Sequence, residues 1–330
     1  MKKYLMLSIL VLFVNRVNLL SQETSGDKSI HVPVIFGILK TKVEFDLDNS
    51  LMRFEVRNAR FGAQGTINDL MSYKVEIDLS DEGQMKMLDA YVKFTPLKDL
   101  SFFMGQRKIP FSTDYLRNPA ENIFANRSFL AKYINDGMRD IGFYADYKIS
   151  GQLPVNIVLG AVNGTGNNNP RWIGKPNLVT RLVIGSGKGF RATGNLYLGE
   201  DPLRKDLSMF GGELRYEKGT FFIESEYIKR NWTDSLSVKL HDDGIYIHSY
   251  YNFTRKHGPI YMITPTARFD LIGNSVFGKI ADASRLTLGV NIGFAPTQFY
   301  SEIRLNYENY FRGYLPVHTD KFTVEFIARF

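Results

Sequence analysis

The chain contains no cysteine, which excludes disulfides and a lipid-modified N-terminal Cys. Beyond residue 21 no apolar run approaches the ~18 residues of a membrane-spanning helix, and strong helical periodicity is lacking throughout. Charge imbalance is small as well: Lys and Arg number 41 against 34 Asp and Glu, a net +7. Three of those basic residues precede residue 22, so the remainder is only mildly basic and does not fit a nucleic-acid binder. Sites for chemistry are equally sparse. Gly185 to Gly189 (GSGKG) lacks the spacing of a phosphate loop and reads as a tight turn. The Asp46, Asp48 and Asn49 cluster lacks the glycine and distal glutamate of a calcium loop. His31, His248, His257 and His318 are scattered, and the adjacent His241, Asp242 and Asp243 cannot easily converge on one ion. His248 and Ser249 are neighbours in a strand, so they point to opposite faces and form no nucleophile and base pair. No metal, no cofactor and no enzymatic activity are therefore expected.

What is present begins with a secretory signal: Lys2 and Lys3, an apolar stretch from Tyr4 to Val14, then a cleavage site placed at Ser21, although Leu19 departs from the small-residue pattern. The expected organisation is signal 1–21, a short periplasmic segment 22–33 and a barrel 34–330. From Val34 onward, sixteen segments of about ten residues alternate with period two, the length of a tilted strand crossing a bilayer. Their limits are 34–47, 51–61, 70–79, 85–95, 100–108, 138–149, 153–163, 177–185, 189–199, 207–217, 220–231, 244–255, 259–271, 283–294, 299–310 and 320–330. In 70–79, Met71, Tyr73, Val75, Ile77 and Leu79 alternate with Ser72, Lys74, Glu76 and Asp78. The first set suits lipid and the second a watery lumen. A slip by one residue would carry every charge into lipid at roughly 2–4 kcal/mol for each Lys or Arg near the midplane, so register is strongly specified.

A soluble sandwich would also alternate, and the connections arbitrate. Even-numbered ones are short, as at 150, 187, 218, 256 and 296, whereas odd-numbered ones are mostly long, near 109–137, 164–176, 231–243, 271–283 and 310–321. The first, at Asp48 to Ser50, is the exception. Short turns on one side and long loops on the other favour an outer-membrane barrel. Aromatics agree, with 18 Tyr and 25 Phe grouped near strand ends, where an interfacial girdle needs them. The last strand alternates Phe322, Val324, Phe326, Ala328 and Phe330, and Phe330 is expected to serve as the assembly signal. The longest connection, Ile109 to Asn135, exceeds the ~12–15 residues at which a loop needs a functional reason. Folded inward, it would narrow the lumen. Strand parity gives Arg53, Arg57, Lys74, Arg107, Arg181, Arg215, Arg285 and Arg304 as lumen candidates, and the long connection adds Arg117, Arg127 and Lys132. Pro110 ends the strand ladder and Phe111 anchors the departing loop.

Five motifs in order carry a family resemblance: DAYVKF (Asp89 to Phe94), GQRKIPFS (Gly105 to Ser112), NRS (Asn126 to Ser128), MRDIGF (Met138 to Phe143) and AVNGTG (Ala161 to Gly166). With them the chain resembles the phosphate-selective porin O and P family. The resemblance implies an all-β, sixteen-stranded antiparallel transmembrane barrel in the outer membrane of a Gram-negative bacterium, with the third outer loop folded into the lumen. It further implies a homotrimer, passive passage of small anions or other small solutes, and Arg107, Lys108, Arg127 and Arg139 near the constriction. Expected partners are membrane lipids, lipopolysaccharide and the barrel assembly machinery. Carboxylates such as Glu76, Asp78, Glu224, Glu226 and Glu302 alternate among the lumen bases, so only a weak anion preference is expected. The rival readings are a plugged structural or adhesive barrel and a phospholipase-like barrel enzyme.

Overall fold

A computed structural model describes residues 32–81, 84–134, 138–255, 257–278, 281–294, 300–313 and 319–330. The expected signal and nearly all of segment 22–33 lie outside the described residues. Strands form where the two-residue rhythm placed them: β1 Val34–Asp46, β2 Leu51–Asn68, β3 Met71–Asp81, β4 Gln84–Leu97, β5 Leu100–Lys108, β6 Arg139–Ile149, β7 Val155–Val162, β8 Asn177–Gly185 and β9 Gly189–Glu200. They continue with β10 Asp206–Lys218, β11 Phe221–Thr233, β12 Lys239–Tyr251, β13 Phe253–Thr254, β14 Ile260–Gly273, β15 Ala283–Phe294, β16 Tyr300–Gly313 and β17 Lys321–Arg329. β13 is the short continuation of β12 past Asn252, so sixteen strands cross. Each pairs antiparallel with its sequence neighbours, and β1 pairs with both β2 and β17, closing the cylinder.

The physical sign of a membrane barrel is that burial is inverted relative to a water-soluble protein. Val75 and Leu79 on β3 are exposed, whereas Glu76 and Asp78 between them are buried; Leu288 and Val290 on β15 are exposed beside buried Arg285, Thr287 and Asn291. Exposed Phe54, Met104, Phe143, Phe210, Leu214 and Phe326 continue the apolar outer face. The inner face carries charge, and its ion pairs bridge neighbouring strands. At the closing seam, Lys40 of β1 lies 3.0 Å from Glu325 of β17, which also takes Arg304 of β16 at 3.2 Å.

Two irregularities have local causes. Pro265 of β14 has no amide to donate, and the ladder on the β12 side breaks opposite it: pairing skips from Tyr250 with Thr266 to Phe253 with Ile263. In β2, Lys40 faces Asn58 while Thr41 faces Val56, so Arg57 is a bulge residue. The bulge resets parity, which sends Arg60 inward where uninterrupted counting would not. β2 runs to Asn68, beyond the segment 51–61. β12 begins at Lys239, so the connection expected over 231–243 shortens to residues 234–238. β3 and β4 also meet tightly, a second short link among the odd-numbered ones.

Gly105 on β5 adopts φ +128°, and a Cβ there would stand 2.3 Å from the Ala90 carbonyl oxygen across the ladder. Gly105→Ala is accordingly expected to destabilise the barrel by about 1–3 kcal/mol, through left-handed strain and backbone displacement. The check is the urea midpoint followed by heat-modifiable electrophoretic mobility, with an unchanged midpoint refuting it.

Candidate pore constriction

β5 stops because Pro110 offers no donor. The chain turns at once, Phe111 N donating to the Ile109 carbonyl at 2.7 Å, and the Phe111 ring is fully buried. Ser112, at φ 63°, caps a one-turn helix, Thr113–Leu116. A non-glycine residue in that region is strained, and carboxylates hold it there. Glu226 of β11 accepts Thr113 N at 2.7 Å, Asp114 N at 3.2 Å and the Ser112 hydroxyl at 3.2 Å. Thr113 Oγ1 donates to Glu213 of β10. Glu213 and Glu226 face each other directly in the ladder. Like charges so placed repel, and the donors of the turn lie between them.

At the other end of the turn, Lys108 Nζ donates to the carbonyls of Tyr115, Leu116 and Arg117 at 2.8, 3.1 and 2.8 Å. A cation at a helix C-terminus satisfies the carbonyls left without intrahelical partners. Asp114 accepts the amide and hydroxyl of Ser128 at 3.0 and 2.6 Å. Burial opposes ionisation of Asp114, yet Arg127, Arg117 and Arg268 and the Ser128 hydroxyl outweigh it and hold the carboxyl below its ordinary range. The segment closes on a π-helical turn, Leu130–Ile134, whose apolar side chains are buried against Gly244 of β12.

Backbone carbonyls along this segment are taken by basic and amide side chains of the wall. Arg304 reaches Ala120 O at 2.9 Å, Asn291 reaches Ile123 O at 2.8 Å, Arg268 reaches Asn126 O at 3.0 Å and Arg285 reaches Arg127 O at 2.8 Å. Arg230 binds the carbonyls of Tyr133 and Ile134, both at 3.2 Å. Asn306 and Asp270 in turn accept the amides of Ala125 at 2.7 Å and Phe129 at 3.1 Å. Hydrogen bonds thus run from residues 112–134 to side chains of β1, β8, β10, β11, β14, β15 and β16.

Beside the segment lies a cavity of about 960 Å³, lined by thirteen Lys and Arg and seven Asp and Glu. Of the basic residues singled out by sequence, Lys108, Arg127, Lys132, Arg139, Arg53, Arg57 and Arg285 meet at this cavity. Arg139 is also paired with Asp89 at 3.0 Å, while Arg127 donates to the carbonyls of Asp114 and Arg117. The others lie apart from it. Arg117 is bound to Glu224, and Arg181 reaches Thr113 Oγ1 at 2.8 Å and Asn195 at 2.7 Å. Lys74 bridges Glu76 and Asp89 at 2.7 and 2.8 Å, Arg215 donates to Gly187 O at 2.6 Å, and Arg304 binds Glu302 at 2.6 Å. Arg107 stands among aromatic rings.

Sequence reading missed Lys40, Lys42, Arg60, Lys86, Arg230 and Lys321, which also line the cavity. Lys40 and Lys42 were findable, since they alternate with Leu39, Thr41 and Val43. Arg60 was hidden by the bulge at Arg57. Elsewhere, Asp242 is paired with Arg230 at 2.5 Å, and His248 is buried and stacked between Phe222 and Tyr246. Two of the five motifs also meet: Asp140 accepts Gly164 N at 2.6 Å and Thr165 N at 3.2 Å. Gly164, at φ +71°, would set a Cβ 2.0 Å from Asn177.

No curated protein matches the chain in sequence. In structure it is similar to the trimer form of in-vitro folded OmpT of Vibrio cholerae, with TM-score 0.61 at 13% identity, covering 91% of this chain and 99% of that one. An anion-selective porin from Comamonas acidovorans gives TM-score 0.61 at 9% identity over 91% and 99%. OmpF of Salmonella typhi, in complex with daunomycin, gives TM-score 0.63 at 12% identity over 91% and 100%. At such identities these likenesses speak for the fold. Residues 41–171 match the model of phosphate-selective porin O and P, a stretch holding the motifs that stop β5, cap the turn and fix Asp140. That match agrees with the family to which the five motifs point.

Proposed function

We propose that the chain is a passive diffusion channel for small hydrophilic solutes with a weak preference for anions, and that residues 109–134 form its constriction. The observation that carries this reading is the basic cavity beside that segment, with bases outnumbering acids by about two to one. In a narrow path with low-dielectric walls, such an excess concentrates anions and repels cations. Lys108 and Arg127 have the sharpest roles. Both give their hydrogen bonds to carbonyls of the segment itself, and both line the cavity. Arg117, held by Glu224, serves to fasten the segment.

The test is the reversal potential of purified protein in planar bilayers under a potassium chloride gradient. Anion preference is expected, and Arg127→Ala should lower the chloride-to-potassium permeability ratio about twofold or more, as loss of one positive charge lining the cavity requires. Cation preference that survives the substitution would remove the reading. A plugged barrel has one observation in its favour, the dense bonding of the segment to the wall, and a near-zero conductance would select it. A trimer, a cleaved signal and contacts with lipopolysaccharide complete the proposal. Cross-linked species on electrophoresis and the N-terminal residue of the mature protein check the first two.

A further inference from the structure

On the inner faces of β4, β5 and β6, Arg107 stands among three aromatic rings. Its guanidinium carbon is 4.2 Å from the Phe103 centroid, 5.2 Å from Tyr144 and 5.7 Å from Tyr91. Lys93 reaches the same Phe103 ring, its Nζ 5.6 Å from the centroid. Alternation places these residues opposite Val92, Met104 and Phe143, which are exposed on the outer face. Four other inner guanidinium groups have carboxylate partners: Arg268 and Arg285 share Asp270, Arg304 binds Glu302 and Glu325, and Arg139 binds Asp89. Among the described residues, Arg107 and Lys93 have none. The buried Nη1 of Arg107 also has no hydrogen-bond acceptor.

We infer that Arg107, with Lys93 beside it, is a binding subsite for a planar organic carboxylate of the aromatic-acid class; its place on a solute path, though not the binding itself, rests on the channel reading. A guanidinium is planar and weakly hydrated and stacks on rings by its faces, which leaves its edge to donate. A carboxylate fits that edge with two parallel N–H···O bonds. The flat body behind it meets Tyr91 and Tyr144, the kind of wall on which an aromatic ring packs. Inorganic phosphate fits less well, because a strongly hydrated anion gains few donors here and loses water against apolar rings. Lys93 adds a second charge without a rigid geometry, so it strengthens binding but does not choose the ligand.

The experiment is calorimetric titration of the folded, detergent-solubilised full-length protein with sodium benzoate, using acetate and inorganic phosphate as comparators. Benzoate is expected to bind about tenfold more tightly than either, and Arg107→Gln to weaken it about tenfold. Arg107→Lys, which keeps the charge but not the fork, should remain as weak as Arg107→Gln. Equal binding of benzoate and acetate, tighter binding of phosphate, or an unchanged benzoate affinity in Arg107→Gln would each overturn the proposal. Should the Arg107 variants fail to fold by heat-modifiable mobility, Lys93→Gln decides instead: a severalfold loss supports the subsite and no loss rejects it. Chloride conductance measured in parallel separates the two readings. Conductance without benzoate binding rejects the subsite alone, and benzoate binding without conductance rejects the channel alone.

Discussion

Replacing residues 112–134 with a short Gly/Ser linker is expected to raise single-channel conductance severalfold and to flatten selectivity toward bulk ion mobilities. The removed stretch makes side-chain contacts with strands nearly all around the inner wall, from Lys40 on β1 through Glu226 on β11 to Arg304 on β16. Conductance follows the narrowest cross-section, and selectivity follows the charges held there. Excision also frees Arg268, Arg285 and Arg304 from the carbonyls they bind, but each keeps a carboxylate partner, so the barrel itself should survive. Survival is checked by heat-modifiable mobility of the variant, and the pore by bilayer recordings at fixed salt. An unchanged conductance would mean that the constriction lies elsewhere.

The second large effect concerns closure of the cylinder. Glu325, fully buried on β17, neutralises Lys40 of the first strand at 3.0 Å and Arg304 of the penultimate crossing at 3.2 Å. Glu325→Ala leaves Lys40 buried with a carbonyl, Pro119 O at 3.4 Å, as its remaining partner. Breaking a buried pair from one side costs about 3–5 kcal/mol, and here the loss falls on the one junction between chain-distant strands. The expected result is a markedly reduced yield of heat-modifiable barrel on refolding and a lower urea midpoint. Glu325→Gln, which keeps an acceptor, should lie between wild type and Glu325→Ala. If both variants refold like wild type, the seam is held by its backbone ladder, such as Gly37 N to Phe330 O at 2.9 Å, and not by charge.

These two cases divide what was legible from what was not. Strand number, order and face were readable because each depends on neighbours two residues apart: Val75 and Glu76 disclose their faces without reference to the rest of the chain. The long excursion after Lys108 was readable too, since Pro110 and a run without alternation mark it locally. Parity failed at Arg57, where one extra residue in β2 is visible only against the partner strand. The roles of individual arginines were the least legible. Arg285 and Arg304 are both buried, yet nothing near them in sequence reveals that they grip carbonyls 158 and 184 residues away.

Period-two alternation repeated over sixteen segments was enough to dictate a closed sheet with a greasy outside and a charged inside, because it has no other stable solution in a bilayer. Which of those charges are paired became visible with the three-dimensional contacts alone. Whether a guanidinium meets a carboxylate, a carbonyl or an aromatic ring depends on which wall side chains residues 109–134 bind. Those contacts join residues far apart in the chain, and no local pattern encodes them.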